Sequence, residues 1–384
     1  MPFCSLCHKK DIDLKTLAII GASYLQRPLV EKAKDLGLRT LCFAWPEGAV
    51  CADLADEFFP ISIVEKDAIL EICQREMIDG VCTIASDVAA PTVAYIAERL
   101  HLNGNSFIAA IKANDKYLMR EAFSAANILC PRYSLVTKNA SPDFALWDYP
   151  LIVKPCDRSG SLGVIKVDTP EELKKSIESA FMLSFSHKAI VEEYIEGREI
   201  SVEFISYHGT HFPLTITDKV TTGAPHFVEL EHHQPADLSQ SQFKAIYSLT
   251  EQALNALGIS DGASHTEYKI TENGDIYIIE LGARMGGDFI GSDLVELSTG
   301  YDFVKGVIEV ALDSFNVPTI TEHTHSGVFF LCKETERLLS VFRDDIENPF
   351  FIKKELMDPY LKPATCSADR SGYIIYKANN KLHL

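Results

Sequence analysis

The chain has 384 residues, 47% of them hydrophobic and 23% charged, an ordinary globular composition that suits two or three packed lobes better than one simple core. A formal charge of -18 argues against a general binder of nucleic acid or anionic membrane, because such a surface repels phosphates at long range, although a local basic pocket for a nucleotide stays compatible with it. No apolar run approaches the ~20 residues of a membrane span, and Met1 to Lys10 is too short and mixed for a leader peptide. The ten cysteines are scattered, most of them inside apolar runs such as those at Cys42, Cys82 and Cys332, where a reduced thiol packs as a small hydrophobe. A reduced, cytoplasmic protein is expected.

Residues from about 15 to 110 alternate short β-rich runs with helical patterns. Strands are predicted at Leu17 to Gly21, Thr40 to Ala44 and Val81 to Ile84, and helices at Leu25 to Leu36, Asp67 to Met77 and Ala89 to Leu100. Such alternation implies a parallel sheet with right-handed crossovers, whose strand carboxyl ends usually hold ligands. The loops Gly21-Ala22-Ser23 and Ser86-Asp87 are therefore candidate substrate loops, with a simple turn into a capped helix as the plain alternative for Gly21 and Ser23. From Lys112 the texture changes. A helix is predicted at Lys116 to Ala126, and strands at Leu151 to Lys154 and Val164 to Val167 flank a glycine-containing loop from Asp157 to Gly163. A helix at Glu171 to Met182 and strands at Ala189 to Tyr194, Glu199 to Tyr207 and Phe212 to Ile216 follow. A helix at Gln242 to Leu257 precedes the strands His265 to Ile270 and Ile276 to Leu281, joined by the hairpin signal Thr271-Glu272-Asn273-Gly274. The predicted division is an α/β lobe at 1–111, an α+β region at 112–315 split near 192/193, and a 316–384 tail of short strands packing on that region.

Three familiar patterns fail in context. Cys4-Ser5-Leu6-Cys7-His8 has haem-attachment spacing, but that chemistry belongs outside the cytoplasm, and zinc would need further ligands. Gly258-Ile259-Ser260-Asp261-Gly262 spells a nucleophile elbow, yet a helix precedes it and a strand follows, the reverse of the order that motif needs. No G-x-G and no Gly-Lys occurs, so neither glycine-based nucleotide fingerprint is present.

The positive signals are carboxylates and lysines. Lys154 closes an apolar strand, where an unpaired ammonium is costly to bury, and Arg158 to Gly163 is small enough to fold amides over phosphates. Val191 to Glu199 runs from an apolar strand into acids that suit an adenine edge and ribose hydroxyls. Glu267 and Glu280 fall on the two arms of the Asn-Gly hairpin, where two carboxylates on one face repel unless a divalent cation bridges them. Arg284 follows closely enough to clamp a phosphate or acyl phosphate.

In this order, from about Asn114 to Leu312, these segments resemble the ATP-grasp superfamily. The resemblance implies ATP and one or two magnesium ions as cofactors, with manganese as a substitute. Lys116 and Lys154 would contact the ATP phosphates, and Ser159, Gly160, Ser161 and Gly163 would close over them. Glu192, Glu193, Tyr194 and Ile195 would form the adenine hinge, and Glu199 would bind ribose or steady Lys154. Glu267 and Glu280 would hold magnesium. His265-Thr266-Glu267 and Glu280-Leu281-Gly282-Ala283-Arg284 look like the amino-acid and peptide ligase branch. There Lys219 and His226 would reach phosphates or substrate, and Ser23, Ser86, Asp87, His265, Arg284, Gly286 and Gly287 would border the substrate. Relatives usually carry asparagine where this chain has Gly282, which puts a second magnesium in question. The implied fold is an α/β lobe followed by a two-subdomain α+β ATP-grasp fold. The implied activity is amide formation from a small carboxylate and an amine through an acyl phosphate, with Lys154 and Arg284 as catalytic residues, no nucleic acid or membrane partner, and a homodimer compatible. The alternatives are a carboxylase or purine-type ligase acting on bicarbonate or formate, and an inactive ATP-binding sensor or scaffold.

Overall fold

The computed structural model describes residues 14–138, 142–343 and 348–384, so Cys4, Cys7 and His8 lie outside the described residues. The first lobe is a parallel sheet. β1 (Thr16–Ile20), α1 (Arg27–Asp35), β2 (Arg39–Phe43), β3 (Glu57–Phe59), α2 (Lys66–Arg75), β4 (Gly80–Cys82) and α3 (Ala90–Leu100) follow one another, with strand order β3-β2-β1-β4. Leu17-Ala18-Ile19-Ile20 is apolar throughout because both faces of β1 are covered. Leu17 and Ile19 pack with Leu29 and Val30 of α1, whereas Ala18 and Ile20 pack with Ile69 of α2 and Ile96 of α3.

Two helices carry the chain onward. α4 (Phe107–Asn114) is capped by Ser106, which accepts from the Ala109 amide, and α5 (Lys116–Ala125) by Asp115, which accepts from the Tyr117 and Leu118 amides. Asp115 thus stops one helix and starts the next, fixing Lys116 as the first residue of α5. A small antiparallel sheet comes next, built from β5 (Tyr133–Thr137), β6 (Leu151–Pro155), β7 (Ile165–Val167), α6 (Pro170–Leu183) and β8 (Lys188–Glu193), in the order β5-β8-β6-β7.

The large sheet begins with β9 (Arg198–Tyr207), β10 (Thr210–Thr221) and β11 (Glu229–Gln234), then α7 (Gln240–Leu257), β12 (Gly262–Ile270) and β13 (Ile276–Gly282). α7 covers one face, where Ile246, Leu254 and Leu257 meet Ile200, Val202, Phe204 and Tyr268. Gly258 ends α7 with φ +79, so the elbow-like spelling there is a helix stop and a turn, as its context implies. A π-helical turn at Ile290–Leu294 leads into α8 (Val295–Thr299) and α9 (Phe303–Ala311); β14 (His325–Leu331), α10 (Leu339–Arg343), β15 (Phe351–Leu356) and β16 (Gly372–Ala378) complete the chain. The tail does more than pack on the sheet. Its strands continue it, in the order β13-β12-β9-β10-β11-β14-β16-β15. The eight cysteines among the described residues are all free thiols, and burial pushes Cys42 up to about 12.

Candidate active site

The site is organised by an irregularity in the β12–β13 hairpin. Near the turn the pairing is Ile270 with Ile276, Lys269 with Tyr277 and Tyr268 with Ile278; a bulge then shifts it by one, so Glu267 faces Glu280 and His265 faces Gly282. The extra residue is Ile279. A bulge lets two successive side chains serve one face, and Ile279 and Glu280 both border the same cavity while Ile278 and Leu281 pack on the α7 side. The Ile279 carbonyl accepts from Nη2 of Arg120 at 2.6 Å.

Each glutamate is met by a buried lysine. Lys116, 4% exposed, places Nζ 2.8 Å from Glu280 Oε1 and donates to the Arg158 carbonyl at 2.6 Å. Lys219 of β10 lies 2.6 Å from Glu267, 3.1 Å from Glu199 and 3.6 Å from Glu229. Burial pulls both ammonium groups down, but their carboxylate partners outweigh it and hold them above the ordinary lysine value. Glu267 shows the reverse balance: burial raises it, and Lys219 with His265 brings it well below the ordinary range.

Lys154, 5% exposed, is held by Glu192, whose second oxygen lies 2.7 Å from Nε of Arg120. Glu192 is therefore a buried anchor for two cations. The expectation that Glu199 steadies Lys154 is corrected: Glu199 pairs with Lys219 and, at 3.2 Å, with Lys269. The neighbouring amides of Glu193 and Tyr194 donate to the carbonyls of Arg132 and Pro150.

Beyond the hairpin, Arg284 grips Asp87 with two parallel bonds, Nε to Oδ1 at 2.8 Å and Nη2 to Oδ2 at 2.7 Å. Burial pushes the Asp87 carboxyl up, and Arg284 overrides it to hold it low. Gly282 makes room for this pair, since a Cβ there would overlap Asp87 Oδ1 and lie 3.2 Å from Arg284 Nε. Where a side chain would otherwise stand, a carboxylate from the N-terminal lobe stands instead. Glu203, fully buried, bonds His265 Nδ1 and accepts from the Gly286 amide at 3.0 Å, while His265 Nε2 lies 3.3 Å from Glu267.

Most of these groups line one cavity of about 410 Å³, with Arg120 and Glu203 behind it. It gathers Lys116, Lys154, Ser159, Gly160, Ser161, Glu192, Glu193, Tyr194, Ile195, Glu199, Lys219, His265, Glu267, Glu280, Arg284, Asp87 and Gly287 from the expected set. Ser23, Ser86, Gly163, His226 and Gly286 are not among its lining residues. Ser23 is engaged with Gln26 Oε1 at 2.7 Å at the start of α1, and His226 is exposed. Sequence reasoning missed Arg120, Glu203, Glu229, His232, Asp288 and Ser367. Arg120 carried one usable signal, its position one helical turn after Lys116 on the same face.

Among the described residues, no three His, Cys, Asp or Glu side chains form a self-sufficient metal cage. Two facing carboxylates, Glu267 and Glu280, fit a hard divalent cation that takes few protein ligands and fills its shell with phosphate oxygens and water, as magnesium does.

Residues 147–293 match the family described as the ATP-grasp domain. Over 245 residues it is 30% identical to an alanine–anticapsin ligase of Bacillus subtilis (strain 168), a match covering 58% of this chain and 51% of that protein. The chain thus spans about half the length of that relative. It is 28% identical over 219 residues to a D-alanine–D-alanine ligase of Trichlorobacter lovleyi, covering 54% of this chain and 68% of the relative. The solved structure of an L-amino acid ligase from Bacillus licheniformis superposes with a TM-score of 0.78 at 23% identity, over 95% of this chain and 94% of that one. The fold shared with that structure therefore extends across the parallel lobe and the tail, beyond the matched residues. No helix among the described residues is long and apolar enough to cross a membrane.

Proposed function

We propose that this protein is an ATP-dependent carboxylate–amine ligase, which activates a small carboxylate such as an amino acid as an acyl phosphate and releases ADP and phosphate as the amide forms. The observation that carries the reading is the convergence of Glu267 and Glu280 with Lys116, Lys154, Lys219 and Arg284 on one cavity. Polyanionic phosphates and a substrate carboxylate need such a cluster, and the two relatives described as ligases support it. Glu267 and Glu280 would hold magnesium, or manganese in its place, whose charge offsets that of the phosphates. Lys154, fixed by Glu192, and Lys116, fixed at the start of α5, would bind phosphate oxygens, and the loop from Ser159 to Ser161 would cover them. That loop already takes a left-handed course, with φ +62 at Gly160 and +56 at Ser161. Arg284, oriented by Asp87, would face the charge that develops on the transferring group, so catalysis is positioning and electrostatics with no protein nucleophile. Small acid and amine substrates and a cytoplasmic location belong to the same reading.

The test is ADP release with magnesium and ATP against acids and amines supplied singly and in pairs, with mass spectrometry of the products. Turnover that requires both an acid and an amine, with a product mass equal to their sum less water, supports the reading. ATP binding with no acid-dependent turnover across the panel counts against it.

A further inference from the structure

Three parts of the chain meet at the cavity. The N-terminal lobe supplies Tyr24 and Asp87, the segment after β13 supplies Gly287 and Asp288, and the tail supplies Ser367. His232 of β11, the cross-strand neighbour of Lys219, lies with them. His232 is 1% exposed, yet it borders the cavity, and neither of its ring nitrogens has a hydrogen-bond partner among the described residues. A buried polar group left unpaired is costly to the fold, so two on one ring mark a side chain shaped for something other than the fold. Its neighbour His233 shows the contrast, with Nδ1 2.9 Å from Tyr376 Oη and Nε2 3.0 Å from Glu231.

We propose that His232 takes the proton from the attacking amine during amide formation, and that the part of the cavity it borders receives the amine substrate. This rests on the ligase reading above and assigns a residue to its second half. The amine lone pair forms the C–N bond to the activated acyl carbon, and the C–O bond to the phosphoryl group breaks with its electron pair leaving on phosphate. The proton shed by the new amide nitrogen passes to the unprotonated ring nitrogen of His232 and then to solvent. The surroundings suit this. Burial, with Lys219 next, holds the imidazole well below its ordinary value of 6.5, so it waits unprotonated. A nitrogen that has just bonded to an acyl carbon is acidic enough to surrender its proton to a weak base. The charge of Asp288 favours the imidazolium, with Arg370 and His233 opposing it, and Asp288 is itself fixed by Arg370 through bonds of 2.7 and 2.8 Å.

Hydroxylamine separates the two half-reactions, because it attacks acyl phosphates without help from a base. ATP, magnesium and hydroxylamine are supplied with each proteinogenic amino acid in turn, and the productive acid is then paired with each amino acid as acceptor. His232→Gln and His232→Asn keep a polar group of similar size that takes no proton at neutral pH. The expected result is hydroxamate formation within about twofold of wild type and amide formation lower by about a hundredfold or more, with the loss in kcat and little change in KM for the amine. Variants that form amide at the wild-type rate overturn the proposal. So do folded variants that lose hydroxamate and amide equally, since His232 then serves carboxylate activation. If the wild type itself makes no hydroxamate with any acid, the ligase reading fails, and the role of His232 within it falls with it.

Discussion

Nε of Arg120 lies 2.7 Å from the Glu192 carboxylate, and both side chains are shut away from solvent, at 0% and 2% exposure. The same guanidinium holds the Ile279 carbonyl at the bulge, and the same carboxylate holds Lys154. One helix residue therefore ties Lys154 of the small sheet to the bulge beside Glu280 in the large one. Breaking a buried pair by removing one partner leaves an uncompensated charge, which costs about 3–5 kcal/mol. Arg120→Met is expected to lower stability by that order in chemical denaturation. A loss under 1 kcal/mol, as for an exposed pair, would show that Arg120 is not the tie described.

The same pair sets an acid limit. Burial raises the Glu192 carboxyl, but Arg120 and Lys154 together hold it below its ordinary value of 4.5. A depressed carboxyl contributes stability above its unfolded pKa and loses it as pH falls through the folded one. The melting-temperature gap between wild type and Glu192→Gln is therefore expected to be widest near neutrality and to narrow below about pH 4.5. A gap that stays constant into strong acid would contradict this.

Glu267→Gln and Glu280→Gln test the metal-type pair. Each keeps the shape and removes the charge, and each is expected to cut acid-dependent ADP release by on the order of a hundredfold or more, with a raised magnesium requirement. Titration of turnover against magnesium reads both effects. A fully active variant at either position removes that residue from the metal assignment.

Gly282→Ala puts a methyl group where Asp87 Oδ1 stands. Overpacking of this kind costs about 1–3 kcal/mol, and the displaced carboxylate is expected to release Arg284. Turnover should fall, and Asp87→Ser should restore part of the lost stability by making room. If the effects of the two substitutions simply add, positions 282 and 87 are not in competition.

Much of the fold was legible because its strands and helices have clear periods. The exceptions have physical reasons. β3 is only three residues long. β11, Glu-Leu-Glu-His-His-Gln, looks like a loop because the face it turns to the cavity is polar. The exposed β15 has little apolar alternation to betray it. Glu267 and Glu280 could be paired from the Asn-Gly turn, but the bulge that sets them opposite left no mark in composition. Glu203 is paired with His265 only by strand register, which single-chain periodicity does not reveal. The Asp87–Arg284 contact joins residues 197 positions apart and explains Gly282, which in the sequence reads only as a missing ligand.

The bulge at Ile279 makes the two ends of this hairpin unequal toward changes in length. Residues added at the Asn273-Gly274 turn lie beyond the paired arms and leave Glu267 facing Glu280. Deleting Ile279 closes the bulge and still leaves Glu280 opposite Glu267 on the cavity face, but it takes away the carbonyl by which Arg120 holds this arm. Insertions should accumulate at the tip of this hairpin, and the arm that follows it should keep its length.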